Sequence, residues 1–236
     1  MTRKVTYEWL GRQPYRPVWK YQRDLLEKRV HGEIGNRLLF VEHDPTFTLG
    51  KAGDESHLLA SQGELAAAKA EYVPIDRGGD ITYHGPGQLV GYPIIHLAEF
   101  KKDVHWYLRQ LEETLIRTLA EFDLQGIRDP DYTGVWVGDE KLAAIGVKVS
   151  RWVTMHGFAL NITTDLSYFG RIVPCGISHK GVCSLKSLTG EPYTLREVMH
   201  IYLKHFAAVF DCTLTEGVST KSFGQTVQTS ADGVKS

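Results

Sequence analysis

The segment Arg77-Gly-Gly-Asp-Ile-Thr-Tyr-His-Gly-Pro-Gly-Gln88 runs directly into the apolar stretch Leu89-Val-Gly-Tyr-Pro-Ile-Ile95. Four of its twelve residues are glycine, which is more than a plain surface turn requires. Glycine is favoured where φ is positive or where the backbone approaches another group closely. Together with the clustered polar side chains, this density predicts one wall of a ligand site standing on a strand. The alternative is a hairpin or a long connection built from ordinary turn residues.

Helical and strand patterns are mixed along the rest of the chain, without strict strand–helix–strand alternation. Asp103 is a typical helix N-cap, and apolar residues recur after it at three- and four-residue steps, which predicts a helix to about Phe122. The capping box Thr194-Leu-Arg-Glu197 predicts a last helix to about Phe210. The remaining predicted elements are a helix over 17–30, strands over 38–42, 45–50 and 72–75, a helix over 64–70, a hairpin of strands 134–137 and 141–149, and a strand over 152–161. The mixture indicates an α+β fold with a mixed, mainly antiparallel sheet flanked by helices.

The length of 236 residues suits one large domain, which we expect over residues 1–218. Residues 219–236 are mostly Ser, Thr, Gly, Gln and Lys. Because such a segment has little apolar surface to bury, we expect it to be a disordered tail.

Charge and cysteine content narrow the class of protein. The net charge of −1 provides no general attraction to nucleic acid or to an anionic membrane. The longest apolar-rich run, 88–98, is far shorter than the roughly 20 residues that a membrane-spanning helix needs. Three cysteines form an odd set, which argues against a disulfide framework and favours a reducing compartment. We therefore expect a cytoplasmic protein.

Several familiar catalytic and cofactor motifs are missing from the sequence. It has no phosphate-binding G-x-x-x-x-G-K-[ST] loop and no G-x-S-x-G nucleophile elbow. The glycines of 85–91 have the wrong spacing for a dinucleotide fingerprint and precede a strand instead of a helix. Cys175, His179 and Cys183 lie near one another, but no C-x-x-C or H-x-x-x-H pair supports zinc. We expect neither a metal nor a cofactor.

The three cysteines occupy different local sequences. Cys183 and Cys212 lie in apolar surroundings typical of buried, inert thiols. Cys175 lies between Pro174 and Gly176, on a tight backbone that can direct a side chain into a cleft and leave N–H groups for an oxyanion. The local sequence fits a nucleophile and a buried hydrophobic residue equally well.

A nucleophilic cysteine needs a neighbour that lowers its pKa, because a free thiol has a pKa of about 8.5. The candidates from sequence are three histidines and the two lysines of the predicted strand 141–149, and spacing alone does not choose among them. Either lysine of that strand, taken alone, is more typical of a surface residue. These candidates are His84, His156, His179, Lys141 and Lys148.

Four motifs, in this order, resemble the octanoyltransferase family of lipoate biosynthesis. They are Arg77–Pro93, the run Lys141-Leu-Ala-Ala-Ile-Gly-Val-Lys148, His156-Gly-Phe-Ala-Leu-Asn161, and Val173-Pro-Cys-Gly-Ile177. The resemblance extends over roughly residues 5–212, and the combination is far more specific than any single motif. It implies a single catalytic domain with the fold of the biotin and lipoate protein ligases.

The resemblance also implies a reaction and the residues that perform it. Octanoyl would pass from acyl carrier protein to a lysine of a lipoyl domain through a thioester on Cys175, with Lys141 as its partner. Backbone N–H groups near Cys175 or in the Gly78-Gly79 turn would serve as an oxyanion hole. The family's substrate pocket maps onto Arg77, Gly78, Gly79, Asp80, Ile81, Thr82, Tyr83, His84, Ala144, Ile145, Gly146, Gly157, Phe158 and Ala159.

The implied partners are octanoyl-acyl carrier protein as donor, and the apo lipoyl domains of 2-oxo acid dehydrogenases and the glycine cleavage H protein as acceptors. Neither nucleic acid nor membrane is expected. The main alternative function is an ATP-dependent lipoate or biotin protein ligase, which shares the fold but activates the acid as an adenylate. A second alternative is a catalytically inactive module that binds acyl groups or lipoyl domains.

Overall fold

The computed structural model describes residues 3–173, 180–218 and 223. Sixteen regular helices and strands follow one another along the described chain. They are β1 (Arg3–Gln13), α1 (Tyr15–Val30), β2 (Asn36–His43), β3 (Thr46–Leu49), α2 (Gln62–Ala67), β4 (Glu71–Pro74), β5 (Ile81–His84), β6 (Gln88–Ile94), α3 (Val104–Ala120), β7 (Gly134–Val137), β8 (Glu140–Ser150), β9 (Val153–Asn161), β10 (Gly181–Val182), α4 (Leu185–Thr189), α5 (Leu195–Phe210) and β11 (Cys212–Glu216). Short 3₁₀ turns lie at Glu55–His57, Leu97–Glu99 and Leu166–Arg171.

A large mixed sheet forms the frame of the molecule. Its strands lie in the order β10-β8-β9-β6-β2-β1-β11, with β7 paired to β8. The pairs β8–β9, β9–β6, β6–β2 and β7–β8 are antiparallel, whereas β2–β1, β1–β11 and β10–β8 are parallel. The predicted α+β class, with a mixed and mainly antiparallel sheet, is confirmed.

Helices cover both faces of this sheet. Successive strand residues point to opposite faces, so Leu89 of β6 packs into the cluster with α3 and α5, while Val90 packs into the cluster with α1. Burial on both sides explains why β6 and β9 are buried along their whole length. The long apolar runs in the sequence are therefore the central strands of a three-layer domain.

Helix α3 matches its predicted bounds closely. Leu111, Leu115 and Leu119 are fully buried in the core, as the spacing predicted. Tyr107 joins this buried stripe, whereas Leu108 is only half-buried. The Asp103 carboxylate accepts a hydrogen bond from the Trp106 backbone N–H at 2.9 Å, as an N-cap does.

We expect the Asp103 cap to make stability depend on pH. The Trp106 N–H bond, assisted by Lys101, lowers the pKa of Asp103. A carboxyl whose pKa is lower in the folded state adds stability above its unfolded value of about 3.9, and loses it as pH falls further. The Asp103→Ala protein should therefore be less stable than wild type at pH 7, with the gap in unfolding free energy narrowing below about pH 4. Urea unfolding of both proteins at several pH values measures this difference in unfolding free energy. Asn caps helices as well as Asp does, so Asp103→Asn is the matched control that keeps the cap and removes the charge. If the difference in unfolding free energy between wild type and Asp103→Ala did not change with pH, the charge of Asp103 would not contribute to the cap.

The sequence reading missed the strands at one side of the sheet. β1 carries charged residues, and its Glu8 is buried beside Arg37, with 3.8 Å between the charged atoms. Cys212 begins β11, a strand that was not predicted after the last helix. Most of the predicted tail lies outside the described residues, but the Phe223 ring lies 5.5 Å from that of Tyr21.

A second sheet of three strands, β4-β3-β5, stands beside the large one. β3 pairs with β4 in parallel and with β5 antiparallel. The glycine-rich segment is thus not one continuous loop, because Ile81–His84 forms β5. The loop proper is short, spans 76–80, and connects β4 to β5 within the small sheet. Within the described part of the chain, no helix combines the length and apolar character needed to cross a membrane.

Candidate active site

A pocket lies between the small sheet and strands β8 and β9 of the large sheet. Its empty volume, which includes the open solvent at its mouth, is about 520 Å³. Residues from the glycine segment, α1 and three strands of the large sheet line it. They are Tyr15, Arg77, Gly79, Asp80, Ile81, Thr82, His84, Tyr92, Thr133, Lys141, Ala144, Ile145, Gly146, His156, Gly157, Phe158 and Ala159.

Small residues form the part of the pocket that belongs to β8 and β9. Ala144 pairs with Ala159, and Gly146 with Gly157. Because the two pairs are two residues apart along each strand, they lie on the same face of the sheet. A Cβ at Gly157 would lie 2.2 Å from the Gly91 carbonyl oxygen, so glycine is required there. The result is a shallow apolar trough along the sheet.

The Arg77 side chain holds the glycine loop in place. Its guanidinium donates hydrogen bonds to the Thr48 carbonyl at 2.7 Å and the Thr48 hydroxyl at 3.0 Å. The next residue, Gly78, donates its backbone N–H to the Val147 carbonyl at 2.9 Å. The loop is therefore pinned to both sheets. The Gly78 N–H is already bonded, so the expectation that it contributes to an oxyanion hole is wrong.

Asp80 and Gly79 complete the loop. The Asp80 carboxylate contacts His57 Nδ1 at 2.5 Å and accepts the Ile81 backbone N–H at 2.7 Å. Gly79 has a φ of +83°, a conformation that favours glycine. The Gly79 carbonyl also lies where a Cβ on Gly50 would stand. These contacts indicate that part of the glycine content builds the loop itself.

Lys141 lies at one end of the trough. Its side chain is buried, with 7 % of the residue exposed, and its Nζ lies 4.7 Å from the centroid of the Trp136 ring, within cation–π range. The backbone of Lys141 pairs with Trp136 of β7 and Val182 of β10. The surface position that its strand pattern suggested is therefore wrong, because a strand on each side covers it.

A second lysine approaches the same indole ring. Lys180 Nζ lies 4.8 Å from the Trp136 centroid and forms an ion pair with Asp129. That carboxylate raises the pKa of Lys180. Two lysine side chains thus lie around the Trp136 ring at this end of the pocket.

A smaller recess opens beside Lys141. It has an empty volume of about 320 Å³. Its walls share Thr82, Lys141, Ala144 and Ala159 with the main pocket, and add Gln88, Asn161, Phe169 and Val182. Lys141 thus stands where two branches of one cavity meet.

Asp76, His156 and Lys148 form a network at the opposite end. Asp76 accepts hydrogen bonds from His156 Nε2 at 2.9 Å and Lys148 Nζ at 2.6 Å. These partners hold the pKa of Asp76 well below its usual range, while burial lowers the pKa of His156. His156 also has a φ of +59°, which places its ring at the pocket wall. Lys148 is thus an ion-pair partner and not an isolated surface lysine.

The two described cysteines are buried, as predicted. Burial raises the pKa of the Cys183 thiol to about 12 and that of the Cys212 thiol to about 11. Cys175 and His179 lie outside the described residues.

Most of the residues predicted to bind substrate come together in this pocket. Only Gly78 and Tyr83 are not among those that line it. Tyr83 points away and stacks on Tyr168, with 4.6 Å between ring centroids. The sequence reading missed Tyr15, Tyr92 and Thr133. Tyr92 lies in the apolar run after the glycine segment. Because Val90 and Tyr92 are two residues apart, their side chains lie on the same face of β6, and this spacing was the signal available in the sequence.

Among the residues that the structure describes, no three His, Cys, Asp or Glu side chains are grouped closely enough to hold a metal ion.

Comparison with known proteins places the chain in a family. Residues 14–207 match the model of the lipoyl protein ligase A/B catalytic domain. An octanoyltransferase of Flavobacterium psychrophilum is 48 % identical over 231 residues, which cover 91 % of this chain and 100 % of that protein. The chain belongs to the octanoyltransferase family. The match of this octanoyltransferase-family chain extends along the full length of the Flavobacterium psychrophilum protein.

Solved structures share the fold of this octanoyltransferase family member at much lower identity. The putative lipoate protein ligase Ta0514 of T. acidophilum, solved with bound lipoic acid, is 13 % identical with a TM-score of 0.70, covering 92 % of this chain and 89 % of that chain. The biotin protein ligase of Aquifex aeolicus, in complex with biotin and ATP, is 13 % identical with a TM-score of 0.54, covering 87 % and 70 %. The expected biotin/lipoate protein ligase fold is confirmed.

Proposed function

We propose that this protein transfers an octanoyl group from octanoyl-acyl carrier protein to a lysine of apo lipoyl domains, through a thioester on Cys175. Octanoyl transfer in protein lipoylation is the reaction class of its family. The observation that carries the proposal is the buried Lys141, which ends a trough of small residues in a chain 48 % identical to an octanoyltransferase.

The pocket has the shape and polarity that an acyl chain requires. Ala144, Ala159, Gly146 and Gly157 leave apolar space along the sheet. Burying each methylene of a ligand there contributes about 0.8 kcal/mol. The end around Trp136, where two lysine side chains lie, is suited to the reacting, polar end of the acyl group.

The described residues that follow Cys175 in the chain lie beside Lys141. The described chain resumes at Lys180, which contacts Trp136, and Val182 then pairs with Lys141 itself. Lys141 is the lysine that the family motif pairs with the cysteine. We assign Cys175 as nucleophile and Lys141 as the group that favours its thiolate and carries protons.

The proposed reaction has two half-reactions. The Cys175 thiolate attacks the octanoyl thioester carbonyl, and the bond to the carrier thiol breaks as that thiol takes up a proton. This exchanges one thioester for another with little change in free energy. The acceptor lysine, as a free amine, then attacks the enzyme thioester. An amide forms, the Cys175 sulfur leaves, and the amine proton passes to the solvent or to Lys141.

The main alternative, an ATP-dependent lipoate or biotin ligase, is favoured by one observation. The fold neighbours include lipoate and biotin protein ligases, one of them in complex with ATP. Fold similarity at 13 % identity does not choose between ligase and transferase. The full-length match to octanoyltransferases favours the transferase.

Partners and setting belong to the same proposal. The donor is octanoyl-acyl carrier protein, and the acceptors are lipoyl domains of 2-oxo acid dehydrogenases and the glycine cleavage H protein. We assign residues 1–218 to one catalytic domain and place the protein in the cytoplasm, on the basis of its odd cysteine count.

A reconstituted transfer assay tests the proposed function. Purified protein, octanoyl-acyl carrier protein and an apo lipoyl domain should give an octanoylated domain without ATP, because the thioester already carries the activated acyl group. Free octanoate with ATP and magnesium is the matched control and should give no product. Product only in the control reaction would establish the ligase and overturn the transferase.

A further inference from the structure

Four aromatic rings are packed together at one wall of the pocket, across the sheet from Lys141. The Tyr15 ring stacks on His84, with 5.5 Å between centroids, and lies 5.0 Å from His43. His43 in turn lies 5.9 Å from both His84 and Tyr92. Tyr15, His84 and Tyr92 line the pocket, whereas His43 packs behind them. We call these four residues the ring cluster.

Hydrogen bonds fix the orientation of the two histidines. His43 Nδ1 lies 3.0 Å from the Gln13 carbonyl, so this nitrogen carries the proton and Nε2 accepts from the Tyr92 hydroxyl at 2.8 Å. His84 Nδ1 donates to Gln88 Oε1 at 2.9 Å, because the Gln88 amide nitrogen already donates to Asn161. The two imidazole rings are therefore fixed in orientation by their hydrogen bonds.

The ring cluster is also uncharged. Burial lowers the pKa of His43 to about 4 and holds that of His84 well below its usual range. Burial raises the pKa values of Tyr15 and Tyr92. At neutral pH the pocket therefore ends on neutral aromatic surface, which an alkyl terminus can contact without a desolvation penalty.

Strand register gives the position of the cluster along the trough. Gly91 pairs with Phe158, so Tyr92 comes level with Gly157 and its partner Gly146. Gly146 is five residues from Lys141 along β8, and the bulge at Leu142 reduces their separation to about four strand steps, roughly 13 Å. The Tyr92 ring thus stands across the trough at a distance from Lys141 that leaves room for a thioester and a medium-length acyl chain.

We propose that the ring cluster of Tyr15, His43, His84 and Tyr92 is the stop that sets acyl chain length in this protein. The inference rests on the proposed function and deepens it. The terminal methyl of the acyl chain contacts the Tyr92 and Tyr15 rings, and a longer chain has no space beyond them because His43 fills the position behind.

The test compares kcat/KM for octanoyl, decanoyl and dodecanoyl donors on acyl carrier protein. Removing the ring in Tyr92→Ala opens space for two or more methylenes. Each methylene that becomes buried is worth about fourfold, so the decanoyl-to-octanoyl ratio should rise by about 15-fold. Tyr15→Leu removes a ring that α1 contributes to the same wall of the pocket. It provides the test if the Tyr92→Ala protein does not fold.

Two further variants serve as controls. Tyr92→Phe keeps the ring and loses only its hydroxyl, so it should keep the octanoyl preference. Tyr107→Ala removes an equally buried ring on the opposite side of the sheet and should leave the ratio at the wild-type value. An unchanged ratio in Tyr92→Ala and Tyr15→Leu, with wild-type octanoyl transfer intact, would overturn the chain-length stop alone. Absence of transfer by wild type from every donor would overturn the proposed function, and the stop with it.

Discussion

Replacing Cys175 by alanine is expected to lower octanoyl transfer by on the order of a thousandfold or more, the usual result of removing a covalent nucleophile. No other described thiol can substitute for it, because Cys183 and Cys212 are buried and have raised pKa values. Residual transfer would come only from bringing donor and acceptor together. The measurement is the initial rate of lipoyl-domain octanoylation at saturating acceptor.

The control for this variant is a cysteine that performs no chemistry. Cys212 lies at the far edge of the sheet in β11, so Cys212→Ala should lose some stability through its small cavity and keep its transfer rate. Thermal unfolding should show that Cys175→Ala is as folded as wild type. Undiminished transfer by a folded Cys175→Ala protein would show that no thioester forms on this residue.

Replacing Lys141 by methionine is expected to lower transfer by about 10²–10⁴-fold, the range for loss of a positioned acid–base group. Methionine keeps the apolar stem beside Trp136 and removes only the ammonium. Loss of this charge should also raise the pKa of the Cys175 thiol, which shifts the pH profile of its alkylation by iodoacetamide upward. Lys148→Met, on the same strand, should reduce transfer far less, because Lys148 pairs with Asp76 at the other end of the pocket.

A second variant of Lys141 separates its two assigned roles. Lys141→Arg keeps a positive charge but does not release a proton near neutral pH. If the charge alone matters, the arginine variant should restore both the alkylation profile and transfer. If proton transfer matters, it should restore the alkylation profile and leave transfer slow. An alkylation profile in Lys141→Met identical to that of wild type would contradict the pairing of Lys141 with Cys175.

The sequence predicted the centre of the fold well because local and global signals agree there. The α3 cap at Asp103 and its leucine stripe are local features that the core then uses. β1 and β11 were missed since their residues are buried by partners distant in sequence, with Glu8 kept in the sheet beside Arg37. β5 was missed because its pairing with β3 depends on a second sheet.

The pocket shows the same division. Its glycine segment was identified from the density of glycine and polar residues, whereas its small residues on β8 and β9 were identified through the family resemblance. Tyr15 and Tyr92 were not, since only folding brings the first residue of α1 against β6. Nothing in the local sequence distinguishes Lys141 from Lys148; burial against Trp136 separates them.

The most direct test of the central claim is the mass of the intact protein after incubation with octanoyl-acyl carrier protein, without acceptor and without ATP. The account predicts a gain of one octanoyl group, mapped by peptide analysis to Cys175, and its loss when an apo lipoyl domain is added. An unmodified protein that still octanoylates the lipoyl domain, or an adduct on a different residue, would contradict it.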